Sequence, residues 1–238
     1  MTIRLPIELL KAAPNGWVME YYVGKDYSLG GITLLCRFDG QRVTMASQMA
    51  EADETVSSLY SVKSEQATML SFDTYNYLVH YFGQPQGSMS DDPNGTLGGD
   101  YEFIISSASD ERIELKGKKY GNRIVMRALT EDQTWKQYLT KIKKVEDDAF
   151  FYEYDLLMDG LYTGQMLRSN YTFIVTYYDE IGKVHQKTVP FMFTADGMRF
   201  HEPVTIDGQT MQNFVWKNEL ISFVCTDEGA TGVKLAGV

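Results

Sequence analysis

Apolar and polar residues alternate along most of the chain, and a period of two is typical of β-strands. The strands predicted in the first half are residues 17–23, 32–38, 43–48, 59–63, 69–74, 101–105, 112–116 and 123–129. Asp39-Gly40 marks a tight hairpin, and the connections are mostly too short for parallel crossovers. The pattern therefore predicts an antiparallel meander.

A second series of strands follows near residue 150, at residues 150–157, 171–178, 184–193, 198–200, 210–216 and 220–225. Between the two series, Thr130 is predicted as the N-cap of a helix, with Gln133 at the capping-box position. Trp135 and Ile142 belong to an apolar stripe on this helix, which indicates that it covers a sheet. Residues 75–82 fit either a strand or one helical face.

The predicted fold is mostly β, with antiparallel meander sheets that form either one barrel, for example a lipocalin-like barrel, or two packed β lobes, and with one bridging amphipathic helix. The expected organisation is a helix remnant at 1–16, a first β lobe at 17–129, the bridging helix at 130–149 and a second lobe at 150–238. One compact domain is the alternative, because edge strands are hidden equally well by closure or by packing of lobes.

Composition narrows the classes of partner. The chain has 238 residues and a formal charge of −10, which repels nucleic-acid backbones. Apolar residues never run for the length of a membrane span. Cys36 and Cys225 share the apolar faces of their predicted strands, so we interpret both as small buried hydrophobic residues. A disulfide between them, or a reactive thiol, is the alternative.

No recognisable catalytic set, cofactor motif or zinc site is present in the sequence, so we expect no cofactor. The acidic loop that carries Asp91, Asp92 and Asn94 resembles the start of a calcium loop. A calcium loop needs a bidentate Glu at its twelfth position, where this chain has Tyr101. Calcium is therefore only a weak candidate, and a solvated turn is the simpler interpretation.

The long polar loop between the strands near residues 70 and 105 is the main candidate for a binding site, because long loops in compact domains often carry function. We predict that the strands flanking this loop bring its two ends together. Gly98-Gly99 would allow a positive φ or a close approach of the backbone at this point. On the functional interpretation the cluster is the floor of a ligand site; on the simpler one it only fixes the base of the loop. The candidate ligand-binding residues are Tyr75, Asn76, His80, Tyr81 and Asp100.

Several segments together resemble a known family: Asn15-Gly16-Trp17, Leu70-Ser71-Phe72-Asp73-Thr74-Tyr75-Asn76, His80-Tyr81-Phe82, Gly98-Gly99-Asp100-Tyr101-Glu102-Phe103 and Leu115-Lys116-Gly117-Lys118-Lys119. This set is similar to the uncharacterised lipoproteins of gut Bacteroidetes classed as domain of unknown function 4302. The resemblance implies export and an outer-membrane or cell-surface location near glycan or peptide uptake systems. The chain shows no signal peptide or lipid-bearing Cys, which we attribute to prior removal; membrane contact would then be only through that anchor.

The sequence is compatible with three functions. The leading hypothesis is a non-enzymatic cell-surface accessory or binding protein for a small-molecule, glycan or protein ligand, because a long loop and many aromatic residues occur without a catalytic motif. A carboxylate-dependent hydrolase, using for example Asp73, Asp92, Asp100 or Glu102, is the alternative. A structural subunit of a surface complex is the third.

Overall fold

The structure is a computed structural model that describes residues 6–64, 67–85, 95–179 and 181–238. The first eight strands are β1 (Trp17–Val23), β2 (Gly30–Phe38), β3 (Arg42–Ser47), β4 (Val56–Ser64), β5 (Thr68–Phe72), β6 (Glu102–Ala108), β7 (Arg112–Gly117) and β8 (Arg123–Ala128). The next eight are β9 (Glu153–Met158), β10 (Leu161–Ser169), β11 (Thr172–Tyr178), β12 (Val184–Phe193), β13 (Gly197–Ile206), β14 (Gln209–Lys217), β15 (Ser222–Cys225) and β16 (Val233–Gly237). The helices are α1 (Pro6–Lys11), α2 (Tyr77–His80) and α3 (Trp135–Asp148).

Each series of eight strands closes into its own antiparallel barrel, in which neighbours in sequence are neighbours in space. The first barrel closes where β1 pairs with β8, from Trp17 opposite Ala128 to Tyr21 opposite Ile124. The second closes where β16 pairs with β9, and Val233 lies opposite Met158. The predicted class, mostly β with antiparallel meanders, is confirmed.

The interiors of both barrels contain large side chains that are fully buried. In the first barrel these include Trp17, Tyr21, Phe72 and Phe103, and Tyr21 meets Phe103 edge-on with ring centroids 5.9 Å apart. The second barrel is lined by phenylalanines. For example, Phe173 stacks on Phe191 with ring centroids 4.4 Å apart. An interior enclosed by eight strands can be filled by side chains or can hold one small ligand. Large buried side chains pack in both interiors here.

Short turns set the register of the hairpins. In the turn between β2 and β3, the Asp39 carboxylate accepts hydrogen bonds from the amides of Gln41 and Arg42 at 2.8 and 2.7 Å. Between β13 and β14, Asp207-Gly208 forms a two-residue turn in which both residues have positive φ, 46° and 75°. Such turns match the twist of antiparallel strands, which explains why an Asp-Gly pair favours a hairpin.

Two details differ from the sequence prediction, and one alternative is resolved. The cap of the long helix is Thr134, four residues after the predicted cap Thr130, and the helix begins at Trp135. The capping box is Thr134 with Gln137, because each main-chain amide donates to the other residue's side chain. Residues 75–82 contain the short helix α2 and no strand. The strands β10 and β16 were not predicted, since β10 is interrupted at Gly164 by a bulge and β16 is short.

The chain divides into two compact units. Unit 1 comprises Met1–Tyr27 and Ile32–Tyr138, and unit 2 comprises Ser28–Gly31 and Leu139–Val238. The division falls inside α3, whereas the sequence suggested a separate helical segment at 130–149; those domain boundaries stay a prediction. In the described part of the chain, no helix has both the length and the apolar character needed to cross a bilayer.

Candidate functional site

The connection between β5 and β6 runs from residue 73 to residue 101 and carries all five candidate ligand-binding residues. Its two flanking strands pair directly, with Leu70 opposite Phe103 and Ser71 opposite Glu102. The two ends of the connection are also tied together, since the amides of Leu97 and Gly99 both donate to the carbonyl of Phe82. The predicted meeting of the two ends is therefore present in the structure.

Close backbone approach explains the two glycines at this meeting point. Gly98 has a φ of 75°, a conformation that L side chains rarely adopt. A Cβ atom added at Gly99 would overlap Phe82. The connection therefore needs glycine at both positions for backbone reasons alone.

Asn76 is fully buried and is the N-cap of helix α2. Its side-chain oxygen accepts a hydrogen bond from the amide of Leu78 at 3.1 Å, which is the usual N-cap interaction. Its side-chain amide donates to the Ser58 hydroxyl at 3.2 Å. These bonds give Asn76 a structural role; its predicted contact with a ligand stays a prediction.

The Asp100 carboxylate is 3 % exposed and organises the turn between β7 and β8. One oxygen accepts hydrogen bonds from the amides of Lys119 and Tyr120 at 2.8 and 3.0 Å. The other accepts from the amide and the side chain of Asn122 at 3.2 and 2.8 Å. Four donors from one turn occupy this carboxylate, so the structure places Asp100 in the framework beneath the candidate site and not at its surface.

Tyr21 joins the barrel interior to the same connection. Its hydroxyl accepts from the Asp100 amide at 2.6 Å and donates to the Asp100 carbonyl at 2.8 Å. The Tyr21 ring meets Phe82 edge-on at 6.1 Å. Burial is the main reason that the pKa of Tyr21 lies well above its ordinary value, so the hydroxyl keeps its proton. Phe82 and Asp100 of the connection thus lie against the interior of the first barrel.

Three aromatic rings remain at the surface of the connection and form what we call the aromatic row: Tyr75, His80 and Tyr101. His80 stacks on Tyr101, with ring centroids 4.6 Å apart and planes inclined by 22°. On the other side, Tyr75 lies 5.5 Å from His80. Tyr75 is 63 % exposed and Tyr101 is 40 % exposed. Of the predicted residues, Tyr75 and His80 therefore lie together at the surface, and Tyr101 joins them.

Hydrogen bonds hold the row in place. His80 Nδ1 lies 3.0 Å from the carbonyl oxygen of Asn76, and the Tyr75 hydroxyl donates to the side-chain oxygen of Gln84 at 3.2 Å. Burial lowers the pKa of His80, and hydrogen bonds to the backbone at Asn76 and Phe72 partly oppose this effect. The imidazole is therefore mainly neutral at pH 7.

Tyr81, the third aromatic residue predicted here, follows helix α2 and is 37 % exposed. Its ring meets Phe82 edge-on at 5.1 Å. Nearby, Tyr77 is also 37 % exposed and its hydroxyl donates to Glu54, a bond that raises the pKa of Tyr77 to about 12. Exposed tyrosines thus continue beyond the aromatic row.

The carboxylates considered for hydrolysis serve other contacts. Asp73 accepts from the Ser61 hydroxyl at 3.1 Å, and Glu102 forms an ion pair with Lys118 at 3.1 Å. Asp92, like the weak calcium candidates Asp91 and Asn94, lies outside the described residues. Among the residues that the structure describes, the carboxyl groups whose pKa departs from the ordinary value are all shifted down: Asp39, Asp53, Asp148, Asp179 and Asp227. A general acid needs a shift in the opposite direction.

Two surface clefts were not predicted from the sequence. One, of about 430 Å³, lies beside the start of α3, where the Arg37 guanidinium sits 5.5 Å from the Trp135 ring centre. The other, of about 370 Å³, is lined by Trp216, Lys144 and Asp148 among others. No local motif marks either cleft, because each is formed by segments far apart in sequence. Over the described ranges, no cluster of His, Cys, Asp and Glu has the arrangement of a metal site.

Comparison with known proteins gives one family. The match is to the family described as a domain of unknown function, DUF4302, and it extends over residues 6–218. A comparison with curated proteins produced no significant match. The matched region includes the whole β5–β6 connection and all but the last two strands. The chain therefore belongs to the DUF4302 family.

Proposed function

We propose that this protein is a non-enzymatic binding module, and that its aromatic row binds the ring of a sugar. The observation that carries the proposal is the row itself: Tyr75, His80 and Tyr101 follow one another at 5.5 and 4.6 Å at the surface of unit 1. Exposed rings of this size are costly to leave in water, and they offer a flat apolar face with polar edges.

The rigidity of the row supports binding. His80 is held through Asn76, and Asn76 is held by Ser58 and by the start of helix α2. Tyr101 directly follows Asp100, whose carboxylate is fixed by the turn after β7. Because these side chains are already ordered, less conformational entropy is lost when a ligand binds.

The chemistry of the row favours a neutral, hydroxyl-rich ligand. The Tyr75 hydroxyl and the Gln84 amide provide donors and acceptors beside the rings. The net charge of −10 disfavours a polyanion such as nucleic acid. A neutral glycan combines apolar ring faces with hydroxyl groups, and a glycan is one of the ligands expected from the sequence.

The test is a titration of the isotope-labelled protein with a panel of neutral and acidic oligosaccharides, followed by two-dimensional NMR. We expect shifts at Tyr75, His80 and Tyr101 with a neutral member of the panel. Tyr75→Ala should weaken this binding roughly tenfold, about 1.4 kcal/mol, because it removes the most exposed ring of the row.

Tyr152→Ala is the matched control, because Tyr152 is a similarly exposed tyrosine, 73 %, in unit 2. It should leave the affinity unchanged. If no oligosaccharide perturbs the row, or if both variants weaken binding equally, the proposal is wrong.

We further propose that the protein is exported and anchored at the outer membrane or cell surface, where it serves glycan or peptide uptake. The family resemblance described above supports this location. Digestion of intact cells with an external protease, followed by immunoblotting, tests it: the protein should be degraded while a cytosolic marker survives.

A further inference from the structure

Strands β12 and β13 of the second barrel are unpaired with each other along more than half of their length. On its other side, β12 pairs with β11 along seven residue pairs, from Tyr178 opposite Val184 to Thr172 opposite Pro190. With β13 it forms three pairs in the described part of the chain, Phe191 to Phe193 opposite Phe200 to Met198. Residues 184–190 of β12 therefore form an open edge within the barrel wall.

The main-chain groups at this edge can be assigned from the ladder. The amide of Phe191 donates to the carbonyl of Tyr171, so Phe191 bonds towards β11. Residues of an antiparallel strand alternate in this respect. His185, Lys187 and Val189 consequently bond towards β11, while Val184, Gln186 and Thr188 direct their amide and carbonyl groups towards the open edge.

Strand β13, on the other side of this gap, does not pair with residues 184–190 of β12 in the described part of the chain. Strand β13 has an irregular register between Arg199 and Val204, where extra residues intervene relative to β14. Pro203 lies within this interval and has no amide hydrogen to offer. Pro190 ends the open edge on the β12 side for the same reason. Among the residues that the structure describes, the amides of β12 that lack a strand partner are thus confined to a short stretch.

Side chains around the edge are suited to a peptide strand. On the outer face, Val184 and its cross-strand neighbour Tyr178 are 54 % and 48 % exposed, and Ile181 in the adjoining turn is 88 % exposed. These three form an apolar strip that begins at the open edge with Val184 and extends away from that edge to Tyr178 of β11 and to the turn. Apolar side chains of an added strand would bury this strip.

On the inner face, Lys187 lies opposite Val175, and its ammonium group is 5.8 Å from the centre of the Tyr177 ring. Within the described ranges, Lys187 has no carboxylate partner at ion-pair distance, whereas His185 two residues earlier bonds Asp179 at 2.9 Å. Lys187 is half-buried, and a half-buried ammonium is stabilised by an opposite charge.

We propose that the open edge of β12 binds an extended segment of a partner protein as an added strand, and that an acidic side chain of this segment pairs with Lys187. The amides and carbonyls of Gln186 and Thr188 supply the main-chain hydrogen bonds. The apolar strip of Tyr178, Ile181 and Val184 supplies burial. This proposal concerns unit 2 and does not depend on the sugar site of unit 1.

Hydrogen exchange tests the open edge in the free protein. The amides of Gln186 and Thr188 should exchange at least roughly tenfold faster than those of His185 and Lys187, which bond to β11. Equal protection of all four amides would show that the edge is closed and would overturn the proposal.

Binding is tested with a fluorescent octapeptide of alternating threonine and valine that carries one central glutamate, and with its glutamine twin. We expect saturable binding of the glutamate peptide to the intact chain and roughly tenfold weaker binding of the twin. Lys187→Met should reduce the affinity for the glutamate peptide to that for the twin, because methionine keeps the length of the side chain without its charge.

Gln186→Pro removes one donor from the edge without touching the ladder to β11, so it should abolish binding while the melting temperature stays nearly unchanged. Gln186→Ala keeps the donor and should bind within about twofold of the original chain. If the peptide does not bind at about 1 mM, or if Gln186→Pro binds as well as Gln186→Ala, strand addition is excluded. Self-association that protects the edge without peptide would instead identify a second copy as the occupant and contradict the proposal.

Discussion

The hydroxyl group of Tyr21 bonds both main-chain groups of Asp100, accepting from its amide at 2.6 Å and donating to its carbonyl at 2.8 Å. The ring is fully buried inside the first barrel, whereas Asp100 belongs to the long β5–β6 connection. The Tyr21 hydroxyl therefore fixes the main chain at Asp100, the residue before Tyr101 of the aromatic row, to the interior of the first barrel.

Tyr21→Phe should destabilise unit 1 by about 1–3 kcal/mol, because it leaves a buried amide and a buried carbonyl without this partner. Thermal and denaturant unfolding, followed by near-UV circular dichroism, measure the loss. Tyr162→Phe is the control, since Tyr162 is 56 % exposed and its change should stay within about 0.5 kcal/mol. A Tyr21→Phe variant as stable as the original chain would contradict the assigned role.

Asp100→Asn should also destabilise unit 1, by about 2–4 kcal/mol, because a side-chain NH₂ group would then face amide donors of the β7–β8 turn. The control is Glu102→Gln, which removes only a partly exposed ion pair with Lys118 and should cost less than about 1 kcal/mol. If Asp100→Asn were as stable as the original chain but did not bind the ligand, Asp100 would be a ligand-binding residue and its structural role would be wrong.

Stability should fall on mild acidification because of His80. Burial lowers the pKa of His80 in the folded chain below its ordinary value of 6.5, so the unfolded chain binds this proton more readily. The contribution is present above pH 6.5 and is lost as the pH falls from 6.5 towards the folded pKa. Denaturant unfolding at pH 7.5 and 5.5 measures the difference.

His80→Phe keeps a ring against Tyr101 but does not titrate, so its loss of stability over this pH interval should be smaller. An NMR titration of the His80 ring provides the direct check. A midpoint above 6.5 would show that the ring is stabilised in its charged form and would contradict the prediction.

Neither cysteine should react in the folded protein. Cys36 and Cys225 are both free and buried, and burial raises the pKa of each thiol, that of Cys225 to about 11. A chromogenic disulfide reagent at pH 8 should label neither thiol in the native chain and both in guanidinium chloride. Rapid labelling of the native chain would show that the unit containing the reactive thiol opens readily.

The period-two pattern and the turn residues predicted most strands and the antiparallel meander from the sequence alone. These signals are local: a half-buried strand shows its alternation, and an Asp-Gly pair such as Asp207-Gly208 favours a two-residue turn in any context. The burial of Cys36 and Cys225 could be read in the same way, from the apolar faces that they share. The closing pairs β1–β8 and β9–β16 join distant segments and leave no comparable local signal.

Tertiary contacts decided where the long helix begins. Thr130 with Gln133 and Thr134 with Gln137 are equally good capping boxes by spacing. The Asn15 side chain donates to the carbonyls of Thr130 and Gln133 at 2.7 and 2.8 Å, which keeps the first pair outside the helix. The second pair therefore forms the cap.

Tertiary structure also divided the five candidate site residues between framework and surface. In the sequence, Asp100 and Tyr101 are adjacent, and of the two only Asp100 is predicted to bind a ligand. In the fold, the Asp100 carboxylate meets four donors of the β7–β8 turn, while the Tyr101 ring faces outward against His80. Local sequence determined which residues form the connection; only packing against the barrel decided which of them solvent can reach, because burial depends on segments that are distant along the chain.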